Sequence, residues 1–433
     1  MNDFPCSFYA IRILQPLGEF YLTSLPAELL LKVCFTHRHT RTEADDSGRV
    51  HDEGHQRRLD QNRLRDISRY LQTQDATLPG TIILAANCTP DGDILDTEDD
   101  DSYKKRWSIN PNDNLSGEMV KIKIPTDKKL AAVVDGQHRL WGFENLSDDL
   151  KKTSLPCAIF IDLPTPQQAA VFATINFNQK PVSKSHSYEL FGYNLDDEPV
   201  RSWSPDKMAV FFTRKLNVDK ESPFKDHIKV APQDDRILED ITKISQKEWS
   251  VSTATIVEGI LALVSNSPKQ DRDALYIYPI DKRSRKCLIS TNTPVNVPPF
   301  REMYLAENRD IVIYKTIINF FSAASKLFWT KLLPNNKSLI RKTAGVQALF
   351  QVLKELLPVQ MKKKDFQQSI WETALEKAAV FDFSNINIFE SSGRGRARIR
   401  DAILVAIGSK ESIEIKDKAF RDYIQKQISE ANS

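Results

Sequence analysis

The stretch Leu130-Ala131-Ala132-Val133-Val134-Asp135-Gly136-Gln137-His138-Arg139 decides how this chain is read. An all-apolar run that stops at Asp-Gly reads as a buried strand ending in a turn. Residues 137–146 then read as a helix. Strand, glycine and helix in that order leave backbone N–H groups free at the strand's carboxyl end. Together with the helix dipole these form a site for phosphate or another anion. Gly136 lets the backbone turn, or approach a ligand, without a Cβ. Arg139 offers a planar fork suited to phosphate oxygens, and His138 can donate a hydrogen bond or carry a proton near neutral pH. Asp135 can cap the helix, hold His138 or Arg139, or assist a metal ion. A second arrangement uses the same residues only for structure, with Asp135 satisfying helix N–H groups and Arg139 paired to it. The residues alone do not choose between the two.

Working outward, residues 6–23 alternate and are split by Pro16-Leu17-Gly18, which predicts a hairpin. Pro26 opens a short helix. Leu59, Leu64, Ile67, Tyr70 and Leu71 line one face of a helix over 57–72, whose other face carries Arg57, Arg58, Arg63, Arg65 and Arg69. Residues 81–86, 119–124 and 158–161 read as strands, and Thr165-Pro166 opens another helix. Beyond about residue 196 helical patterns dominate, over 206–217, 251–265, 301–332, 338–357, 363–379 and 411–429. The expected fold is α+β, with an N-terminal α/β domain over 1–195 and a mainly α-helical domain over 196–433. The aromatic segment around Phe320, Phe321, Phe328 and Trp329 reads most simply as core.

With 433 residues there is room for more than one core, and a formal charge of +2 gives no strong overall field. Any nucleic-acid contact must therefore come from a local patch. The five cysteines form no CxxC pair, which fits reduced thiols. No signal peptide is expected, since no basic segment followed by a long apolar run is read at the start, and apolar stretches are broken by charge before membrane-spanning length; a cytoplasmic location without membrane contact is expected. The acidic stretch 88–115 lacks the glycine and terminal Glu of a calcium loop. His37, His39, His51 and His55 lack the spacing of a ligand set, so no resident metal is expected. Phosphate loops, dinucleotide fingerprints and nucleophile elbows are absent from the sequence. Arg394, Arg396 and Arg398 lie in a Gly/Arg-rich segment before an apolar helix, read as a loop that holds DNA phosphates.

The segment Val133–Gly142 resembles the defining motif of the DGQHR-domain family. That family includes the DndB proteins of DNA phosphorothioation clusters and DpdB-like proteins of deazaguanine DNA-modification clusters. Arg63-Leu-Arg-Asp-Ile-Ser-Arg-Tyr70-Leu is similar to the family's arginine-bearing helix, and Phe172-Ala-Thr-Ile-Asn176-Phe-Asn178-Gln179-Lys180-Pro181-Val182 to its second signature. Ser222-Pro223-Phe224 resembles a recurring segment, with weaker agreement at Thr343-Ala-Gly345. More distantly, the corner is similar to that of the ParB/sulfiredoxin superfamily, where Gly-x-x-Arg binds nucleotide phosphates. The resemblance thus implies a ParB/sulfiredoxin-like N-terminal domain.

It also implies Gly136, His138 and Arg139 at the phosphates, and Gln137 positioning a water. Asp135 would hold Mg²⁺ brought with a nucleotide, or a neighbouring side chain. Arg63 and Asn176 would line the pocket and Lys180 would reach a phosphate. Gln137 stands where a sulfiredoxin has Cys and a ParB-type CTPase has Glu, so neither mechanism carries over. Anti-phage proteins with a similar Asp-Gly-Gln-Gln-Arg motif hydrolyse nucleotides. Two functions follow from the resemblance. One is a DNA-binding, regulatory component of a DNA-modification or phage-defence system, with DNA and proteins of that cluster as partners and homo-oligomerisation left open. The other is a DNA-stimulated NTPase with Asp135, Gln137 and His138 as its catalytic residues.

Overall fold

A computed structural model describes residues 4–36, 40–41, 52–53, 59–110, 119–177, 183–191, 198–229, 249–289, 297–306, 308–329 and 338–432. His37, His39, His51, His55 and Lys180 lie outside these residues. The chain divides into two compact units, Met1–Pro181 and Val182–Ser433.

The first unit is built on a curled eight-stranded mixed sheet. The hairpin forms as β1 (Cys6–Gln15) and β2 (Gly18–Pro26), followed by α1 (Ala27–Val33) and β3 (Cys34–Phe35). Short strands β4 (Thr40–Arg41) and β5 (Asp52–Glu53) pair with each other. Then come α2 (Gln61–Tyr70), β6 (Ile82–Ala86), α3 (Asp100–Lys105), β7 (Ser108–Asn110), β8 (Met119–Ile124) and β9 (Ala131–Asp135). The unit closes with α4 (Gln137–Trp141), α5 (Asp148–Lys151), β10 (Ser154–Ile161) and α6 (Thr165–Phe177). Sheet order is β3-β9-β6-β10-β2-β1-β8-β7.

The all-apolar runs have a direct cause. Successive side chains of a strand point to opposite faces, and both faces of β6 and β9 are covered. Leu84, Ala131 and Val133 pack with Leu29, Leu30 and Val33 of α1, while Ala85, Ala132 and Val134 pack with Leu163, Val171 and Phe172 on the other side. Each fully buried Val or Leu contributes about 1.5–3 kcal/mol to holding the strands in place. The outlying β1 alternates instead, with Ala10 buried and Tyr9 and Ile11 exposed. The acidic stretch is more ordered than its composition predicts. Asp99 caps α3, and Lys104 and Lys105 pair with Asp100 and Asp101 one turn earlier.

The second unit is helical. It comprises α7 (Lys184–Phe191), α8 (Pro205–Val218), short strands β11 (Ile228–Lys229) and β12 (Val251–Ser252), α9 (Thr253–Val264), α10 (Pro268–Tyr276), α11 (Arg301–Leu305) and α12 (Asp310–Ala324). It continues with α13 (Thr343–Lys363), α14 (Gln368–Leu375), α15 (Gly393–Ala406) and α16 (Lys418–Asn432). The helix predicted over 301–332 is divided, because Asn308 takes a left-handed backbone at φ 77 between α11 and α12. Asp310–Trp329 is long and apolar enough to cross a membrane by length and composition. It is nevertheless a packed element, with Phe320, Phe321, Phe328 and Trp329 buried in the core of the unit.

Candidate functional site

The corner that follows β9 lies beside the start of β6, because the two strands are antiparallel and Asp135 pairs with Ile83. Gly136 has φ 96 and ψ 11, a left-handed backbone that a β-carbon disfavours. A Cβ there would lie 2.7 Å from Ile82 Cδ1 and 3.2 Å from Arg139 Nη2. Glycine is therefore required twice over, by backbone angle and by space.

The helix after it is shorter than its sequence pattern predicts. Only Gln137–Trp141 are α-helical; the N–H groups of Phe143 and Glu144 then reach three residues back, to Leu140 and Trp141, and the chain continues as turns. One turn and a half carries little macrodipole, so the anion attraction expected from a helix end is largely missing here. Asp135 makes no cap: Gly136 occupies the N-cap position and no side chain bonds there. Instead Arg139 Nη2 lies 2.6 Å from Asp135 Oδ2, with both side chains about a quarter exposed, at 25% and 26%. The guanidinium extends across Gly80 as well, where a Cβ would fall 2.3 Å from Arg139 Nη1. Of the second arrangement open to the sequence, the Arg139–Asp135 pair is seen and the Asp135 cap is not.

His138 joins the corner to the arginine-bearing helix. Its Nε2 accepts the Asp60 backbone N–H at 3.1 Å, which leaves the ring proton on Nδ1. Burial, and then the positive charge of Arg63, hold its pKa below the ordinary histidine value against the opposing pull of Asp60 and Asp135. Asp60 in turn caps α2, accepting from the N–H groups of Asn62 and Arg63. Two further contacts fasten α2. Ser68 Oγ donates to Gly142 O at 2.6 Å, and Ile67 packs so closely on Gly142 that a Cβ would sit 2.5 Å from its Cγ2. Gly142 thus finds its reason in the close approach of α2.

The structure therefore gathers Asp135, Gly136, His138, Arg139 and Arg63. Gln137 points inward, 9% exposed and with interactions of its own. Asn176 belongs to α6, with its side chain outside the described residues. Arg63 is exposed, and its guanidinium has no hydrogen-bond or ion-pair partner among the described residues. Arg65 bonds Asn62, and Arg69 lies 3.5 Å from Asp66. Sequence reasoning missed Gly80 and Asp60; Pro79-Gly80 and the Asp before Gln61 were the available signals, as a turn and a helix cap.

A second polar centre, also missed, sits at the far end of β6. The parallel strands β6 and β10 end together, followed by left-handed Asn87 (φ 67) and Asp162 (φ 59). Asn87 Nδ2 donates to Asp162 Oδ1 at 2.9 Å and to Trp107 O at 3.1 Å, and Arg106 pairs with Asp162. These groups satisfy one another and fasten the acidic stretch to the sheet.

In the second unit, the arginines expected in a loop lie inside α15. Ser392 caps that helix by accepting the Gly395 N–H, and helical winding starts at Gly393. Arg394 and Arg398 both bind Asp417, at 2.9 and 2.7 Å, and hold its carboxyl well below the usual carboxylate range. Arg398 is 13% exposed and also donates to Ile388 O, so it serves the fold. Arg396 donates to Gln347 Oε1 at 3.1 Å. Among the described residues no group of three or more His, Cys, Asp or Glu is placed to hold a metal.

A sequence profile described as "DndB: DNA-sulfur modification-associated" matches residues 8–229, just over half of the 433. The chain belongs to the DndB family. No curated protein and no solved structure gives a significant match. The DndB match takes in the whole corner, α2 and the second signature, and ends at Lys229 of β11. The chain is thereby associated with DNA-sulfur modification. The arginines of α15 lie outside the matched span.

Proposed function

We propose that this DndB-family chain is a DNA-binding, regulatory component of a DNA-sulfur modification system, working with DNA and the other proteins of that system. The observation that carries this reading is the face of α2. That helix buries no residue and presents Arg63, Arg65 and Arg69, yet it is fixed by His138, Gly142 and Asp60 to the family's defining corner. Rigidly held exposed arginines suit contact with phosphates along a duplex. The near-neutral net charge makes such a contact local, so its signature is salt dependence. Fluorescence anisotropy of a labelled duplex, titrated at several salt concentrations, tests it. Each lost phosphate contact lowers the slope of log K against log salt by about 0.9. Arg63→Gln with Arg65→Gln and Arg69→Gln is expected to flatten that slope; an unchanged slope removes α2 as the contact.

A second reading keeps a nucleotide at a ParB/sulfiredoxin-like corner, and the left-handed Gly136 beneath the Arg139 guanidinium favours it. Arg139 would exchange Asp135 for a phosphate, with Gly136 and His138 beside it. Asp135, once released, would be free for Mg²⁺, and Lys180 and Asn176 would complete the wall. Gln137 would have to turn outward to position a water. Titration of labelled ATP, GTP and CTP against wild type and Arg139→Ala decides: equal binding by both proteins, or by neither, ends this reading. Phosphate release with and without duplex DNA, abolished by His138→Ala, would mark an NTPase.

A further inference from the structure

The helical unit contains a small, mostly apolar cavity with a few polar and cationic side chains, which neither the DndB match nor the corner involves. It has a volume of about 120 Å³ and lies between α9, α13 and α15. Room for several waters is also room for one tetrahedral oxyanion. Gly259 and Ala262 of α9 and Phe350 of α13 make an apolar floor. Gln347, Gln351 and Lys354 follow one another at i, i+4 and i+7, so α13 presents them on a single face. Arg396 of α15 completes the lining, bonded to Gln347.

The charges around this cavity do not cancel internally. On α15, Arg394 and Arg398 share Asp417, and Arg400 pairs with Asp401. Arg396 has no carboxylate partner among the described residues; its guanidinium bonds the neutral Gln347 amide. Lys354 likewise has none, although both side chains are half-buried. Among the described residues that line it, Glu258 alone is acidic, and its Oε1 lies 2.6 Å from Lys184 Nζ. Gln351 also lines the cavity, although its Oε1 is sealed from solvent without a hydrogen bond. Arg396, Lys354, Gln347 and Gln351 thus line a space of oxyanion size.

We propose that Arg396, Lys354, Gln347 and Gln351 form a phosphate-binding site, taking either a backbone phosphate of DNA or a free phosphate group. The site is independent of α2 and of the corner, so its failure and theirs are separable. The test uses the full chain as wild type, Lys354→Gln, Lys354→Gln with Arg396→Gln, and Arg63→Gln. In the first arm, melting is followed with inorganic phosphate against chloride at matched ionic strength. A ligand at about ten times its dissociation constant raises the melting temperature of a unit this size by roughly 3 °C. Wild type and Arg63→Gln are expected to show that rise, and the Lys354 variants to lose it. In the second arm, a labelled duplex is titrated at several salt concentrations. A slope lower by about 1 in Lys354→Gln identifies the DNA backbone as the source; loss of the phosphate response alone identifies a free phosphate group. Lys354→Gln guards against misfolding, since the Lys354 side chain makes no hydrogen bond or ion pair among the described residues. Wild type that melts alike in phosphate and chloride, with an unaltered DNA slope in both Lys354 variants, overturns the proposal.

Discussion

Arg139 spans two glycines because neither Gly80 nor Gly136 has a side chain to exclude it, and Asp135 fixes its far end. Replacement of Gly136 by Ala meets both a left-handed backbone and the methyl of Ile82. Together these should cost about 2–4 kcal/mol. Urea unfolding of Gly136→Ala is expected to show this as a lower midpoint at unchanged slope, and a midpoint equal to wild type would contradict the geometry. His138 gives a pH signature. Its pKa is lowered in the folded protein, so the unfolded chain takes up its proton first as the pH falls. The stability that the neutral ring supplies is complete above the unfolded value of about 6.5, and is lost as the pH drops from there through the lower folded value. Urea midpoints at pH 7.5 and 5.5 should therefore differ less in His138→Asn than in wild type. An identical difference would show that the ring is not coupled to folding.

At the scale of elements, α9 and α13 meet through Gly259, where a Cβ would lie 2.2 Å from Phe350 Cδ2. Overpacking of this kind typically costs about 1–3 kcal/mol. Gly259→Ala should lower the melting temperature, and Phe350→Leu in the same chain should restore part of the loss. Independent, additive losses would mean that the two helices do not meet there. The strands and their hairpin were legible in the sequence because burial imposes its period on them: both faces covered for β6 and β9, one for β1. The long helices were legible for the same reason. Their ends were not, since the break at Asn308, the early close of α4 and the helical winding at Gly393 depend on neighbours distant in sequence. At the corner, the residue types offered the Arg139–Asp135 pair as one of two arrangements but did not choose between them. That choice depends on Gly80, brought alongside only by the pairing of β6 with β9.

For the whole molecule, two units with separate cores predict two unfolding steps. Leu84 and Leu353 are both fully buried, one in each core. Leu84→Ala and Leu353→Ala should each remove about 2–5 kcal/mol, and in calorimetry each should lower a different transition. A single transition moved equally by both would show that the chain unfolds as one block.

The Asp135–Arg139 pair gives the corner a resident rival. An anion arriving there does not meet a vacant guanidinium but one already neutralised from within. Its apparent affinity is reduced by the fraction of molecules in which the internal partner is in place. Removing that rival, as in Asp135→Asn, would make the corner greedier for anions without adding a single contact to them.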